Sequence, residues 1–121
     1  MATKEQQTQK QVLDFLEASG MMAWRNFNGP IYTSRGLRPN PAKSTPDILG
    51  IGPCGVTLGF EIKENEKSKR SDGQVEWIEN ARARGALAMF VWDLDQVVQL
   101  LKPCHDCPGQ FACDIDLDLM S

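Results

Sequence analysis

The sequence predicts an α/β fold in which helices flank a mixed central sheet. Amphipathic helical patterns alternate along the 121-residue chain with short apolar runs of strand length. Two of these runs are joined by a glycine-rich turn, which is typical of antiparallel neighbours. A further run, residues 87–92, follows a helical pattern and is continuously apolar, as in a buried strand. The predicted order is helix, three strands, helix, strand, helix.

Capping residues and apolar spacing place the helices. Thr3 caps the first, with Gln6 completing a capping box, and Ser71 caps the second, with Gln74 in the same position. Asp93 caps the third. The apolar positions at helical spacing are Val12, Leu13 and Leu16 in the first helix, Trp77, Ile78 and Ala81 in the second, and Leu94, Val97, Val98 and Leu101 in the third.

The first strand is predicted at residues 21–25, and a long irregular segment is predicted after it. Residues 27–44 contain three prolines and two glycines, so we expect no regular structure there. Loops of this length inside compact domains are usually functional or disordered. Its cations Arg35, Arg38 and Lys43 favour a mobile arm that contacts a nucleic-acid backbone; a solvated loop with incidental charge is the alternative.

Residues 45–63, TPDILGIGPCGVTLGFEIK, contain the candidate chemistry. Side chains alternate along a strand, so Glu61 and Lys63 point to one face, and Asp47 lies on the neighbouring strand. Two carboxylates about 4 Å apart repel by about 4 kcal/mol at a dielectric of 20, so both stay ionised only around a cation. Oxygen ligands favour Mg²⁺ or Mn²⁺, and Lys63 is suited to an attacking water or a phosphate. The pattern indicates metal-assisted phosphodiester hydrolysis; a hairpin with a surface ion pair is the alternative.

These residues reproduce the motif of the PD-(D/E)XK nucleases. The sequence around them resembles the small stand-alone VRR-NUC domains of phages and prophages. The resemblance covers residues 3–101 and implies the αβββαβ core of that superfamily. The matching segments are Glu5, Trp24-Arg25-Asn26, Asn28-Gly29, PDILG, GFEIK, Gln74 and Gly85-Ala86-Leu87-Ala88.

The resemblance implies a Mg²⁺- or Mn²⁺-dependent DNA endonuclease. Members of this kind are associated with homodimers that cut branched DNA such as Holliday junctions. Asp47 and Glu61 are expected to bind the metal, with the backbone carbonyl of Ile62 as a further ligand and Lys63 assisting the water. Cleavage of flaps or of single-stranded or duplex DNA is an alternative, and so is a nucleic-acid-binding module that does not cut.

Glu5 and Gln74 are expected by resemblance to support the site, Glu5 at the metal and Gln74 at a metal-bound water or a phosphate. Each also has an ordinary explanation. Glu5 lies near the positive end of a helix dipole, and Gln74 can simply close its capping box.

The net charge of −3 conceals a segregated distribution. Residues 25–84 carry ten Lys or Arg against seven Asp or Glu, whereas residues 85–121 carry one Lys against six Asp. The local field decides phosphate binding, so the central region remains compatible with DNA. The candidate DNA-binding residues are Arg25, Arg35, Arg38, Lys43, Lys67, Lys69 and Arg70.

Residues 1–102 are expected to form the nuclease domain and residues 103–121 a tail. Cys104, Cys107 and Cys113 have half of the pattern of a zinc site, and the alternatives are ordinary thiols or a redox disulfide. Residues 114–119 alternate with period two, which predicts an edge strand or dimer element; a frayed acidic tail is the alternative. No apolar run has the length of a membrane span or a signal core, so we expect a cytoplasmic protein.

Overall fold

The computed structural model describes residues 2–103 and 117–120. Its helices are α1 (Lys4–Ala18), α2 (Asp72–Ala83), α3 (Leu94–Leu101) and a short 3-10 helix (Leu117–Met120). Its strands are β1 (Met22–Arg25), β2 (Ile31–Thr33), β3 (Gly36–Arg38), β4 (Ile48–Ile51), β5 (Thr57–Ile62) and β6 (Leu87–Val91). The predicted order is confirmed, with one additional hairpin, β2–β3, between β1 and β4.

Four strands form the central sheet, in the order β1-β4-β5-β6. β4 runs antiparallel to β1 and β5, and β6 runs parallel to β5. The sheet is therefore mixed, as predicted. α2 connects the parallel pair, as a parallel connection requires. Because Ile48 pairs with Phe60, the antiparallel register carries on to place Asp47, directly before β4, across from Glu61.

The two faces of the sheet are buried differently. One face contributes the larger core, in which Phe60 is fully buried and which α1 and α3 cover. Truncating a ring buried to this degree costs about 3–5 kcal/mol. The other face packs a smaller cluster, Ala88 and Phe90, against Ile78 of α2. Strand alternation puts Glu61 on this second face, since Glu61 is the parallel partner of Phe90.

All three predicted helix starts are confirmed. Thr3, Ser71 and Asp93 each cap a helix, and each helix has a complete capping box. In the second box the side chain of Gln74 accepts a hydrogen bond from the backbone N–H of the N-cap residue Ser71. The position of the Gln74 side chain is therefore set locally.

The prediction that residues 27–44 lack regular structure is wrong at six of them. β2 and β3 pair as a hairpin with Tyr32 opposite Leu37. Thr33 closes the turn, since its Oγ1 donates to the carbonyl of Gly36 at 2.9 Å and accepts from the Arg35 N–H at 3.1 Å. Gly36 adopts a φ of 94°, which other residues rarely reach. The prolines stand before and after the hairpin and so do not interrupt its pairing.

The predicted strand over residues 114–119 is wrong where it is described, because Leu117–Met120 is a 3-10 helix. Burial explains the difference: Met120 is 7% exposed in the larger core, and Arg82 donates a hydrogen bond to its carbonyl. Residues 114–116 and the cysteines at 104, 107 and 113 lie outside the described residues. Within the described part of the chain, no helix combines the length and apolar character needed to cross a membrane.

Candidate active site

Asp47 is held by three hydrogen bonds from two segments of the chain, β5 and residues 26–28. Its Oδ2 accepts a hydrogen bond from the backbone N–H of Ile62 at 3.0 Å, across the β4–β5 pair. Its Oδ1 accepts from the side-chain amide of Asn28 at 3.1 Å. Its own carbonyl accepts from the backbone N–H of Asn26 at 2.8 Å, which continues the β1–β4 pairing. The carboxylate is thereby fixed on the face from which Glu61 projects.

Glu61 is a buried carboxyl group with an unsatisfied oxygen. Its side chain is 5% exposed, and Oε2 has no hydrogen-bond partner within the described residues. Burial raises its pKa from 4.5 to about 9, and the nearby charge of Asp47 adds to the rise. Lys63 opposes this rise in pKa. Buried polar atoms are normally satisfied, so the exception at Oε2 calls for an explanation.

A divalent cation would supply that explanation. Two carboxyl groups that share a site cannot both ionise without a counter-charge, and hard oxygen ligands suit Mg²⁺ or Mn²⁺. The donor set at Asp47 and Glu61 therefore fits such an ion. Over the described ranges, no group of three or more His, Cys, Asp or Glu residues is arranged to hold a metal. A site here would complete its coordination with backbone carbonyls, water or substrate oxygens.

Lys63 lies at the end of β5 on the same face as Glu61. Its backbone N–H donates to the carbonyl of Val91 at 2.8 Å, which extends the β5–β6 pairing by one residue. Its Nζ donates to the carbonyl of Lys69 and to Oε1 of Gln74, both at 2.9 Å. The ammonium group is thus held in place from two sides.

Gln74 closes its capping box, as one of the two explanations for it predicted, and it also contacts Lys63, which the sequence did not indicate. Its Oε1 accepts from the backbone N–H of Ser71 at 3.2 Å, which closes the capping box, and also from Nζ of Lys63. An amide oxygen has two lone pairs, so one atom can serve both donors. The start of α2 is therefore joined directly to Lys63.

Glu5 influences Glu61 only weakly. It is exposed in the first turn of α1, and its charge is the smallest of the effects that shift the pKa of Glu61. This helix turn nevertheless lies beside the end of β5, since Nζ of Lys4 donates to the carbonyl of Glu64 at 2.7 Å.

Two asparagines that position Asp47 were given no role in the sequence analysis. Asn28 donates to the carbonyl of Thr45 at 2.9 Å as well as to Asp47, and Asn26 donates to the carbonyl of Pro46 at 2.9 Å. The available signal was their spacing: residues two apart in extended chain face the same way. Together they fix the short segment that leads into β4.

The candidate DNA-binding cations are spread over several surfaces. Arg70 lies 4.3 Å from the ring centroid of Phe90 and 5.9 Å from that of Trp92, close to Lys63. Arg25 pairs with Ile48, so it projects from the opposite face to Asp47 and is not brought to the carboxylates. The others, all exposed, are Arg35, Arg38 and Lys43 on or after the hairpin and Lys67 and Lys69 after β5.

Comparison with known proteins gives one informative match. No family model matches the chain, and no curated protein matches it significantly. A solved structure described as "VRR_NUC domain" matches with 31% sequence identity and a TM-score of 0.64. The match covers 84% of this chain and 97% of that chain.

Proposed function

The chain belongs to the VRR-NUC family, whose fold is that of the PD-(D/E)XK nucleases, and on that premise we propose that it is a Mg²⁺- or Mn²⁺-dependent DNA endonuclease. The observation that carries the proposal is the buried Glu61 carboxyl group, whose Oε2 is unsatisfied within the described residues, facing the fixed carboxylate of Asp47. Burying two carboxyl groups side by side destabilises the folded protein when no cation is bound. A cation-binding role accounts for that cost.

Asp47 and Glu61 would hold the ion, with the backbone carbonyl of Ile62 as a further ligand and Glu5 nearby. When bound, the ion supplies Lewis acidity toward the scissile phosphate and its attacking water. Asp47 needs little rearrangement to bind it, because Asn28 and the Ile62 N–H already fix both carboxylate oxygens. Pre-positioned ligands of this kind reduce the reorganisation that catalysis requires.

Lys63 would stabilise charge on the reacting phosphate or orient the water. An ammonium group has three donors, and two of them are taken by Lys69 and Gln74. The third remains for a substrate oxygen. Because two contacts fix Nζ, that donor has a defined direction, and this is the geometric condition for a positioned catalytic group.

DNA is the expected substrate, and a branched form such as a four-way junction is the specific proposal. A two-fold homodimer would present paired active sites to paired strands, as symmetric cleavage of a junction needs. The surface cations of the hairpin segment and of residues 67–70 would contact phosphates, and a cytoplasmic location gives access to DNA.

A cleavage assay tests the reaction. Labelled four-way junction, flap and linear duplex DNA are incubated with the protein and Mg²⁺ or Mn²⁺. Light scattering separately measures the mass of the protein in solution, which tests the proposed homodimer. We expect product from the wild type and none from Glu61→Ala or Lys63→Ala, with Lys63→Ala still bound to the junction. Glu64→Ala and Lys102→Ala, at exposed positions outside the site, serve as matched controls. Retained cleavage in Lys63→Ala would remove its assigned role, and an uncut set of substrates would refute the proposed reaction.

A further inference from the structure

The β2–β3 hairpin presents an exposed aromatic surface beside the active site. Tyr32 is 88% exposed and its cross-strand neighbour Leu37 is 52% exposed. Cross-strand partners share a face, so the two side chains form one apolar surface directed at solvent. The hairpin pairs with no strand of the central sheet, and this surface adds nothing to either core.

The hairpin is held at both ends. Thr33 closes its turn, and the amide of Asn40 donates to the carbonyl of Phe27 at 3.0 Å across its base. A two-stranded hairpin is marginally stable alone, so these bonds help to present Tyr32 in a defined orientation. A rigid aromatic side chain costs little conformational entropy when it binds a flat ligand.

The charge of this segment selects an anionic ligand. Residues 26–46 contain Arg35, Arg38 and Lys43 and no acidic residue. Arg38 and Lys43 line a groove of about 350 Å³ together with Leu37. The remaining lining residues are Asn28, Pro30, Pro39 and Asn40. Apolar walls with a cationic rim suit a ligand that combines a flat apolar body with phosphate, and this volume lies in the range of small-ligand pockets.

The groove is joined to the candidate active site through a single residue. Asn28 lines the groove and its amide also donates to Oδ1 of Asp47 at 3.1 Å. A strand bound at the candidate active site would therefore lie close to this groove.

We propose that the β2–β3 hairpin binds an unpaired nucleotide of the DNA strand that enters the active site. Tyr32 stacks on the base, Leu37 packs against it, and Arg38 and Lys43 contact the adjoining phosphates. In an intact duplex the bases already stack on one another, so this platform gains binding energy only where a base is free. The inference rests on the proposed function, and it adds to the branched substrate a preference for branch points at which a nucleotide is unpaired.

The test measures binding without metal, so it does not depend on cleavage. Fluorescence anisotropy compares a duplex containing a short single-stranded gap with the same duplex fully paired, in the presence of EDTA. The proteins are wild type, Tyr32→Ala, Tyr32→Phe and the control Met22→Ala, which removes an apolar side chain that is 66% exposed on β1. A 2-aminopurine placed in the gap reports stacking by a loss of its fluorescence. Tyr32 is the one tyrosine of the chain, so the substitution removes a unique group.

We expect Tyr32→Ala to weaken binding to gapped DNA by about 5- to 100-fold, as loss of one stacking aromatic does. Binding to paired duplex stays within about 2-fold of wild type, since phosphate contacts remain. Tyr32→Phe and Met22→Ala bind gapped DNA as wild type does, and quenching of 2-aminopurine is lost only in Tyr32→Ala.

Three results would overturn the inference: equal binding by Tyr32→Ala and wild type, an equal loss on both DNAs, or an equal loss in Met22→Ala or Tyr32→Phe. The two proposals fail separately. A protein that cuts no DNA but loses its gap preference in Tyr32→Ala refutes only the nuclease reaction. One that cuts DNA and shows no effect of Tyr32→Ala refutes only the hairpin's role.

Discussion

The backbone N–H of Ile62 donates a hydrogen bond of 3.0 Å to Oδ2 of Asp47, and Ile62 directly follows Glu61 in β5. This bond crosses from the start of β4 to the end of β5, so the register of the antiparallel pair controls the distance between the two acidic residues. A slip of one residue would turn Glu61 to the opposite face. The fully buried residues Ile48 and Phe60, which pair one step away, oppose such a slip.

Replacing Asp47 by asparagine is predicted to damage both the site and the local structure. The carboxylate accepts from Ile62 with one oxygen and from Asn28 with the other, whereas an amide has only one oxygen to accept with. One donor is left unpaired, at a cost of about 1–3 kcal/mol. We expect a lower midpoint of thermal unfolding and at least about 100-fold slower cleavage, the scale of losing a positioned charged group. Asp14→Asn, at an exposed ion pair, is the matched control.

Unchanged cleavage in Asp47→Asn would show that the charge at this position is not needed, and Asp47 would then be a structural residue only. If Asp47→Asn lowers stability but leaves cleavage unchanged, Asp47 is likewise a structural residue only. Equal effects of Asp14→Asn would show that the change is not specific to the site.

The stability of the metal-free protein is predicted to fall as the pH rises from 4.5 toward 9. Folding raises the pKa of Glu61 from 4.5 to about 9, so between these values the folded state binds a proton that the unfolded state has released. The free energy of unfolding then decreases with pH, by at most about 1.4 kcal/mol per pH unit from this group. The favourable contribution of Glu61 to the free energy of unfolding is complete below pH 4.5 and is lost near pH 9. Glu61→Gln removes this dependence.

Thermal unfolding of wild type and Glu61→Gln in EDTA across this pH range measures the effect. We expect the two proteins to be similar at the acidic end and the variant to be more stable by several degrees at the alkaline end. Parallel curves over the whole range would show that Glu61 is already ionised in the folded protein.

Binding of a divalent ion is predicted to release close to one proton at neutral pH. Glu61 is protonated there because its pKa is about 9, and it must ionise to become a ligand. Calorimetric titration with Mn²⁺ in buffers of different ionisation enthalpy counts that proton. The same ion should raise the unfolding midpoint, since saturation at about 100 times Kd adds about 2.7 kcal/mol. Both effects should vanish in Glu61→Gln, whereas Glu64→Gln should behave as wild type.

Much of this arrangement follows from local sequence signals. The capping boxes at Thr3 and Ser71 and the glycine-rich turn between β4 and β5 are encoded within a few residues, and the structure confirms each of them. Once α2 lies between β5 and β6, a parallel pairing follows from the connection it makes. The position of Asp47 opposite Glu61 is therefore predictable in outline.

The contacts that complete the site are not local. Asn28 and Asp47 are 19 residues apart, and the spacing of Asn26 and Asn28 indicates a shared side but does not identify the residue that they contact. The outward turn of Arg25 depends on its pairing with Ile48, which charge alone does not reveal. The β2–β3 hairpin escaped prediction because its strands are three residues long and bounded by prolines, so composition outweighed its short pairing pattern.

Gln74 is predicted to affect cleavage through Lys63 as well as stability through its cap. Gln74→Ala removes the acceptor at 2.9 Å from Nζ of Lys63 together with the bond to Ser71. We expect about 1 kcal/mol lower stability from the lost hydrogen bond to Ser71 and about 10-fold slower cleavage as Lys63 loses one of its two restraints. Gln6→Ala is a matched control, since Gln6 closes the equivalent box of α1 by accepting from the Thr3 N–H at 2.9 Å. It should lose similar stability and keep full cleavage. Equal loss of cleavage in both variants would mean that Gln74 acts on the fold alone, and Lys63 would not need it for its position.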